Sequence, residues 1–249
     1  SISKENMNEA FFLISKGLIK KAIIGDFIAQ YADIVFSQPE GFSGTEHFFA
    51  TLCYTFQIFF DFSGYTDIAI GVALLLGFRL GVNFLSPYKS TSITEFWRRW
   101  HISLSSWLRD YIYIPLGGNK TKGYRNLFIV WFLTGVWHGG ANGACWNYIL
   151  WGLFWGLLIL AERLFLGNIL KKIPSVFGHI YLIIAMIFSW TLFYFTDLNR
   201  LWKFLKVLVG ANGNKLSSLE FELIFMSNIY WLAFALIFCM PVYLYMHRF

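Results

Sequence analysis

Two histidines and a run of arginines carry most of the chemistry this sequence offers. In "EFWRRWHISLSSWLRDYIYIPLGGN", residues 95–119, Arg98, Arg99, His101, Arg109 and Asp110 are interleaved with Trp100 and Trp107. In "NLFIVWFLTGVWHGG", residues 126–140, His138 is the one side chain that titrates near neutrality. An imidazole can take a proton, return it, or steady a developing negative charge. A neutral histidine bonded to a neighbouring carbonyl is the structural alternative, and the residues alone leave both readings of His138 open. A third cluster, "FFDFSGYTDIAIG", puts Asp61 and Tyr65 on one helical face and Ser63 and Asp67 on another, each at i, i+4. Two carboxylates in such apolar surroundings need partners, and Arg98, Arg99 or Arg109 are the expected donors. The favoured reading is ion pairs that lock helices together; a proton relay is the alternative.

These residues must be positioned by elements suited to lipid. Hydrophobic types make up 57% of the 249 residues and charged types only 14%, where a soluble domain carries about a quarter. A helix crossing hydrocarbon needs ~20 mostly apolar residues. Residues 177–196 and 228–246 each supply such a run, the second with a kink expected at Pro241. Residues 126–161 are long enough for a helical hairpin turning through Gly139, Gly140 and Gly143, and residues 48–78 form a further apolar stretch. Alternating strand patterns are absent, and an open backbone cannot be satisfied in lipid. The expected fold is therefore all-α: a polytopic transmembrane helical bundle with re-entrant and interfacial helices. No repeat or linker divides the chain, so residues 1–249 read as one membrane-embedded domain. It begins at Ser1 without a signal-peptide pattern, and the expectation is an incomplete chain lacking N-terminal helices.

The formal net charge is +6, but the basic residues gather in connections between apolar runs. That is the positive-inside pattern of a membrane protein rather than a nucleic-acid surface. Residues 79–125 hold eight of the 20 basic residues, which places the ends of that stretch in the cytoplasm and the turn of the hairpin outside. Arg200, Lys203 and Lys206 then fall outside, against the rule. Cys53, Cys145 and Cys239 lie far apart in apolar surroundings with no C-x-x-C pair, as buried structural thiols would, and no metal-ligand spacing is present.

Ser92 followed by Glu95 is a capping-box signature, and the periodicity predicts a helix from Ile93 to about Asp110. On it Glu95, Arg98 and His101 would form a polar stripe, and Trp100, Leu104 and Trp107 an apolar one. Such a helix suits a membrane interface with snorkelling arginines, or a water-filled cavity within the bundle. His138 lies thirteen residues beyond Arg125, ~20 Å along a helix and within the hydrocarbon slab. An ionisable group at that depth is usually paired or functional.

The segments "YTFQIFFDFSGYTDIAIGVALLLGFRL", "NFLSPYKSTSITEFWRRWHISLSSWLRDYIYIPLGGN", "TGVWHGG" and "WNYILWG" together resemble the membrane-bound O-acyltransferases. The likeness is to the bacterial branch that acetylates alginate, peptidoglycan or related exopolysaccharides, and it runs from about residue 17 to residue 156. The D-alanyl transfer branch that modifies teichoic acids is the next nearest. The resemblance implies helices around a funnel that meets at a central histidine, here His138 in "VWHGG", supported by a second, His101 in "RRWHIS". It departs in two places. Trp146 and Asn147 come four positions later than usual after the histidine, adding a helical turn or an enlarged loop, and Trp155 stands in "GLFWG" where relatives often have histidine.

Acyl transfer from a thioester to a hydroxyl needs a base for the hydroxyl proton, which a buried, neutral His138 can be. His101, a nearby arginine, a tryptophan N–H or a backbone N–H can stabilise the oxyanion. Ser103, Ser105 and Ser106 lie near His101, but no G-x-S-x-G elbow is present, so direct transfer is expected rather than an acyl-enzyme. No tightly bound cofactor is implied; acetyl-CoA or another acyl thioester is the implied donor. The implied site is the bacterial plasma (inner) membrane, and the acceptor is a polysaccharide reached directly or through an extracytoplasmic acyltransferase partner. The outer connections, around residues 139–146 and 197–220, are too short to form a polymer-binding domain of their own. A transporter with Arg98, Arg109, Asp61 and His138 along a polar path would call for an internal repeat, which the chain lacks. A non-catalytic scaffold for such a partner would keep the fold and leave His138 dispensable.

Overall fold

The computed structural model describes residues 3–143, 146–211 and 219–239, and among these the chain is predominantly helical, with no strand. Eleven α-helices follow in order: α1 (Lys4–Leu18), α2 (Asp26–Ser37), α3 (Gly44–Leu75), α4 (Ile93–Arg99), α5 (Ile102–Leu108), α6 (Gly123–Asn142), α7 (Trp146–Ala161), α8 (Gly167–Leu170), α9 (Ser175–Tyr194), α10 (Leu198–Leu208) and α11 (Leu219–Cys239). Three helical stretches among the described residues are long and apolar enough to cross a membrane: Gly44–Leu75, Trp146–Leu170 and Ser175–Tyr194. The apolar runs expected at residues 48–78 and 177–196 are thus α3 and α9. The run at 228–246 begins in α11, while Cys145, Pro241 and the rest of residues 240–246 lie outside the described residues. Two compact units result, Ser1–Asn83 with Lys203–Phe249, and Phe84–Trp202.

In the first unit, α3 starts with a reciprocal capping box. The Ser43 hydroxyl accepts from the Glu46 N–H, and the Glu46 carboxylate accepts from the Ser43 N–H at 2.7 Å. α3 then runs unbroken through "DFSGYTD" because its polar side chains find partners on α1 and on the π-helical turn Ile19–Gly25. Glycine lets these backbones meet: a Cβ on Gly17 would lie 2.6 Å from the Gly64 carbonyl oxygen, and one on Gly64 would lie 2.8 Å from that of Gly17.

Asp61 and Asp67 do not pair with Arg98, Arg99 or Arg109, as the sequence led us to expect. Asp67 receives Lys20 at 2.7 Å and Lys16 at 3.1 Å, and Asp61 receives Lys21 at 2.8 Å. Lys16, at the end of α1, and Lys20 and Lys21, about one turn further on, reach these positions once glycine has brought the two backbones together. Burial separates the two sites: the Asp67 and Lys20 side chains are 14% and 13% exposed, those of Asp61 and Lys21 31% and 46%. We expect Asp67→Ala to destabilise by about 2 kcal/mol, the scale of a hydrogen bond to a charged group. Asp61→Ala should cost less than about 1 kcal/mol, as exposed pairs do. Thermal unfolding in detergent checks this, with the lower midpoint expected for Asp67→Ala.

In the second unit, α6 and α7 form the expected hairpin, though Gly139 and Gly140 lie inside α6 and only Gly143, at φ +90°, belongs to the turn. Of the residues between His138 and Trp146, those up to Asn142 are helical, as the end of α6. The two helices touch at backbone distance. A Cβ on Gly135 would lie 2.5 Å from the Tyr148 carbonyl oxygen, and one on Gly152 would collide with that of Trp131.

Glu162, just past the end of α7, is bound to the start of α4. Its carboxylate accepts from the Ile93 N–H at 2.6 Å, the Thr94 N–H at 2.9 Å and the Thr94 hydroxyl at 2.6 Å. These are orphan donors of a helix N-terminus, where negative charge is favoured. The connection from α5 to α6 is held by Asn126, whose amide donates to the carbonyls of Leu116, Gly118 and Thr121. Arg163 fastens the same loop by donating to the Tyr113 hydroxyl and the Asn119 side-chain oxygen.

Candidate functional site

The site grows from a break the sequence does not announce. Ser92 caps α4 as expected, its hydroxyl accepting from the Glu95 N–H at 3.1 Å, although the Glu95 carboxylate reaches the Thr91 N–H rather than closing the box on Ser92. The helix predicted to run to Asp110 stops at Arg99. Trp100 is extended, and His101 takes a left-handed conformation at φ 46° and ψ 54° before α5 begins. Nothing in "RRWHIS" breaks a helix; packing does. Trp100 is buried among Phe84, Tyr88, Phe96 and Trp190, with ring centroids 5.0 to 6.1 Å away. A left-handed non-glycine residue costs about 1–3 kcal/mol and persists where the surroundings impose it.

The break also dissolves the expected polar stripe. Arg98 is exposed, Arg99 turns back to Glu95 at 2.8 Å and the Leu85 carbonyl at 3.1 Å, and Arg109 pairs with its neighbour Asp110 at 2.7 Å. His101 is left on the inner side of the turn, where burial lowers its pKa to about 4 and keeps the ring neutral near pH 7. Of the neighbouring serines, Ser105 donates to the Trp97 carbonyl at 3.4 Å.

His138, on α6, comes to the same place. Its ring meets three aromatic rings nearly at right angles: Trp137 at 4.8 Å, Trp151 at 4.8 Å and Phe193 at 5.4 Å between centroids. His101 lies 6.2 Å from the same Trp137 ring. The structure therefore brings together the two predicted histidines, from α6 and the α4–α5 turn, and leaves Arg98, Arg99 and Arg109 engaged elsewhere or exposed. Asp61 and Asp67 sit with their lysines in the other unit.

Asn147 is fully buried, and its amide donates to the Phe193 carbonyl at 3.2 Å and the Leu192 carbonyl at 3.4 Å, fastening α7 to the last turn of α9. Its side-chain oxygen has no hydrogen-bond partner among the described residues. Trp155 is fully buried between Phe96 and Trp97, a packing residue where relatives often carry histidine.

Sequence reasoning gave no role to Phe193 or Ser189, and Trp151 figured there only within "WNYILWG". The Trp151 N–H donates to the buried Ser189 hydroxyl at 2.8 Å, and Phe193 packs on both Trp151 and His138. Their only signal is a run of aromatics in apolar helices, which looks like core in any membrane protein. Chemically, the site offers two imidazoles in an aromatic setting, groups able to accept a proton or donate a hydrogen bond.

The sequence profile of the membrane-bound O-acyltransferase family matches residues 3–203. A peptidoglycan O-acetyltransferase of Helicobacter pylori is 39% identical over 227 residues, covering 89% of this chain and 42% of its own length. A probable alginate O-acetylase of Pseudomonas aeruginosa is 41% identical over 208 residues, covering 82% of this chain and 39% of its own. A teichoic acid D-alanyltransferase of Bacillus subtilis is 38% identical over 122 residues, covering 45% of this chain and 30% of its own. The chain thus spans about two fifths of the length of the first two of these relatives.

Proposed function

Because the chain belongs to the membrane-bound O-acyltransferase family, we propose that it carries the histidine centre of an enzyme that moves an acetyl group from a thioester to a hydroxyl. His138 takes the proton as the hydroxyl oxygen attacks the thioester carbonyl carbon. A tetrahedral oxyanion forms, with His101 placed to donate a hydrogen bond to it. The carbon–sulfur bond then breaks, and the thiolate leaves with the proton held by His138. The observation that carries this reading is the meeting of His138 and His101 around Trp137, each brought there by a separate element. A structural histidine bonded to a carbonyl would need neither the second imidazole nor the left-handed turn that presents it.

Acetyl is favoured over D-alanyl because the O-acetylating relatives align over 82–89% of the chain and the teichoic acid enzyme over 45%. The donor in this reading is acetyl-CoA, made in the cytoplasm, and the acceptor is a cell-surface or secreted polysaccharide. The setting is a bacterial plasma (inner) membrane crossed several times, in keeping with the basic connections and the three apolar helical stretches. A bulky polymer outside cannot easily thread to a base ~20 Å inside the slab. The hydroxyl that attacks at His138 is therefore carried by an extracytoplasmic acyltransferase partner, which passes the acetyl on to the polysaccharide, and membrane lipid surrounds the chain.

The test uses the purified protein with acetyl-CoA, wild type beside His138→Ala. Wild type should release or transfer acetyl and the variant should not. Polysaccharide should be acetylated only when the partner is added, and crosslinks from Asn199 should capture that partner. Polymer acetylation by this protein alone would reject the relay, and a fully active variant would reject the base.

A further inference from the structure

Building on the proposed acyl transfer, we infer that Phe193 and Trp151 form a rigid wall beside His138 that limits the transferred group to two carbons. In the tetrahedral intermediate the reacting carbon is bonded to the attacking oxygen, the departing sulfur, the oxyanion and the alkyl end of the acyl group. The attacking oxygen must stand within hydrogen-bond reach of His138, so the reacting carbon lies in the shell of residues around that ring. Three rings occupy this shell, and they are not alike. Trp137 is 49% exposed and leaves its side of the ring open. Trp151 is 1% exposed and Phe193 half-buried, and they close the inner side at 4.8 and 5.4 Å. The alkyl end is the one substituent with nothing else to bind, and a longer one would have to pass this wall.

Neither ring is free to swing aside. The Trp151 indole is tied by its N–H to Ser189 at 2.8 Å, so turning it would break a buried hydrogen bond. Phe193 packs at 5.0 to 5.9 Å against Tyr148, Trp151 and Trp190, and Asn147 holds its carbonyl. Behind Trp151 there is a second packed layer of aromatic rings. Trp97 packs on Trp151 at 5.8 Å and Trp190 stacks on it at 6.2 Å, and Trp155 and Trp190 are 0% and 2% exposed. A close-packed interior accepts an extra methylene poorly.

The test compares initial rates of transfer from acetyl-, propionyl-, butyryl- and hexanoyl-CoA in membranes containing wild type, Phe193→Leu, Phe193→Ala, Phe193→Trp, Trp151→Leu or His138→Ala protein. Wild type should fall by about tenfold or more for each added methylene, the usual range for a shaped apolar pocket. Phe193→Leu, Phe193→Ala and Trp151→Leu should raise the butyryl-to-acetyl ratio by about tenfold, in that each opens the wall. Phe193→Trp should lower the propionyl-to-acetyl ratio. Each ratio is taken within one preparation, so differences in protein yield cancel. Equal use of butyryl and acetyl by wild type, or unchanged ratios across the Phe193 series with His138→Ala inactive, would overturn the wall and leave the transfer reading standing. Acetyl transfer by His138→Ala at the wild-type rate would remove the transfer reading itself.

Discussion

The His138→Ala protein is expected to insert, fold and lose acetyl transfer by about a thousandfold, mid-range for a general base. The side chain sits among three rings on a helix that continues past it to Asn142, and alanine is a good helix former. Deleting the ring leaves a small gap, not an unpaired charge, so protein yield should hold while the proton acceptor is gone. His101→Ala should lose less, about a hundredfold, as a donor to the oxyanion does. The alanine also keeps the left-handed turn strained, so His101→Gly is the control for backbone cost: it relieves φ 46° and should be as inactive as His101→Ala but no less stable. The readouts are transfer rate per folded protein and thermal midpoint. If His101 proved the more sensitive position, the two roles would be exchanged.

The second large effect is expected at Glu162, a residue with no chemistry to perform. Its carboxylate takes three hydrogen bonds from the first turn of α4, and that turn sets where Trp100 and His101 fall. Glu162→Ala leaves the buried Ile93 N–H and the part-buried Thr94 N–H and hydroxyl without this acceptor, for a destabilisation of roughly 3–5 kcal/mol. Glu162→Gln keeps one acceptor oxygen and turns an amide donor toward the rest, so it should fall between. Yield and thermal midpoint should follow the order wild type, Gln, Ala. Activity per folded protein should fall in the same order, because His101 is carried on the displaced turn. Equal midpoints for all three would show that α4 is held by its own cap at Ser92.

Much of the fold can be read from composition and periodicity. The long apolar runs become α3, α9 and the α6–α7 hairpin because a chain in lipid must satisfy its backbone locally. Ser92 announces a helix start, since a hydroxyl accepting from an N–H three residues on is a local event. The two histidines stand out by type, and the structure joins them. What the sequence hides is long-range. Asp61 and Asp67 find lysines 40 and 47 residues away, and nothing local distinguishes those lysines from the arginines of residues 98–109. Glu162 caps a helix whose start lies 69 residues earlier. The turn at Trp100–His101 is hidden for another reason: local propensity favours a helix there, and the burial of one tryptophan overrides it. Phe193 and Ser189 are invisible because their residue types are ordinary in a membrane helix.

The proposed passage of an acetyl group from a cytoplasmic thioester through His138 to the opposite face is tested most directly in sealed, oriented membrane vesicles. Acetyl-labelled CoA is supplied only at the cytoplasmic face, and the partner transferase with its polysaccharide only at the other. Label should appear on the polysaccharide with wild-type protein and stay at background with His138→Ala at equal protein content. Label on the far side with the variant, or none with wild type while detergent-opened vesicles of the same preparation acetylate the polymer, would contradict the account.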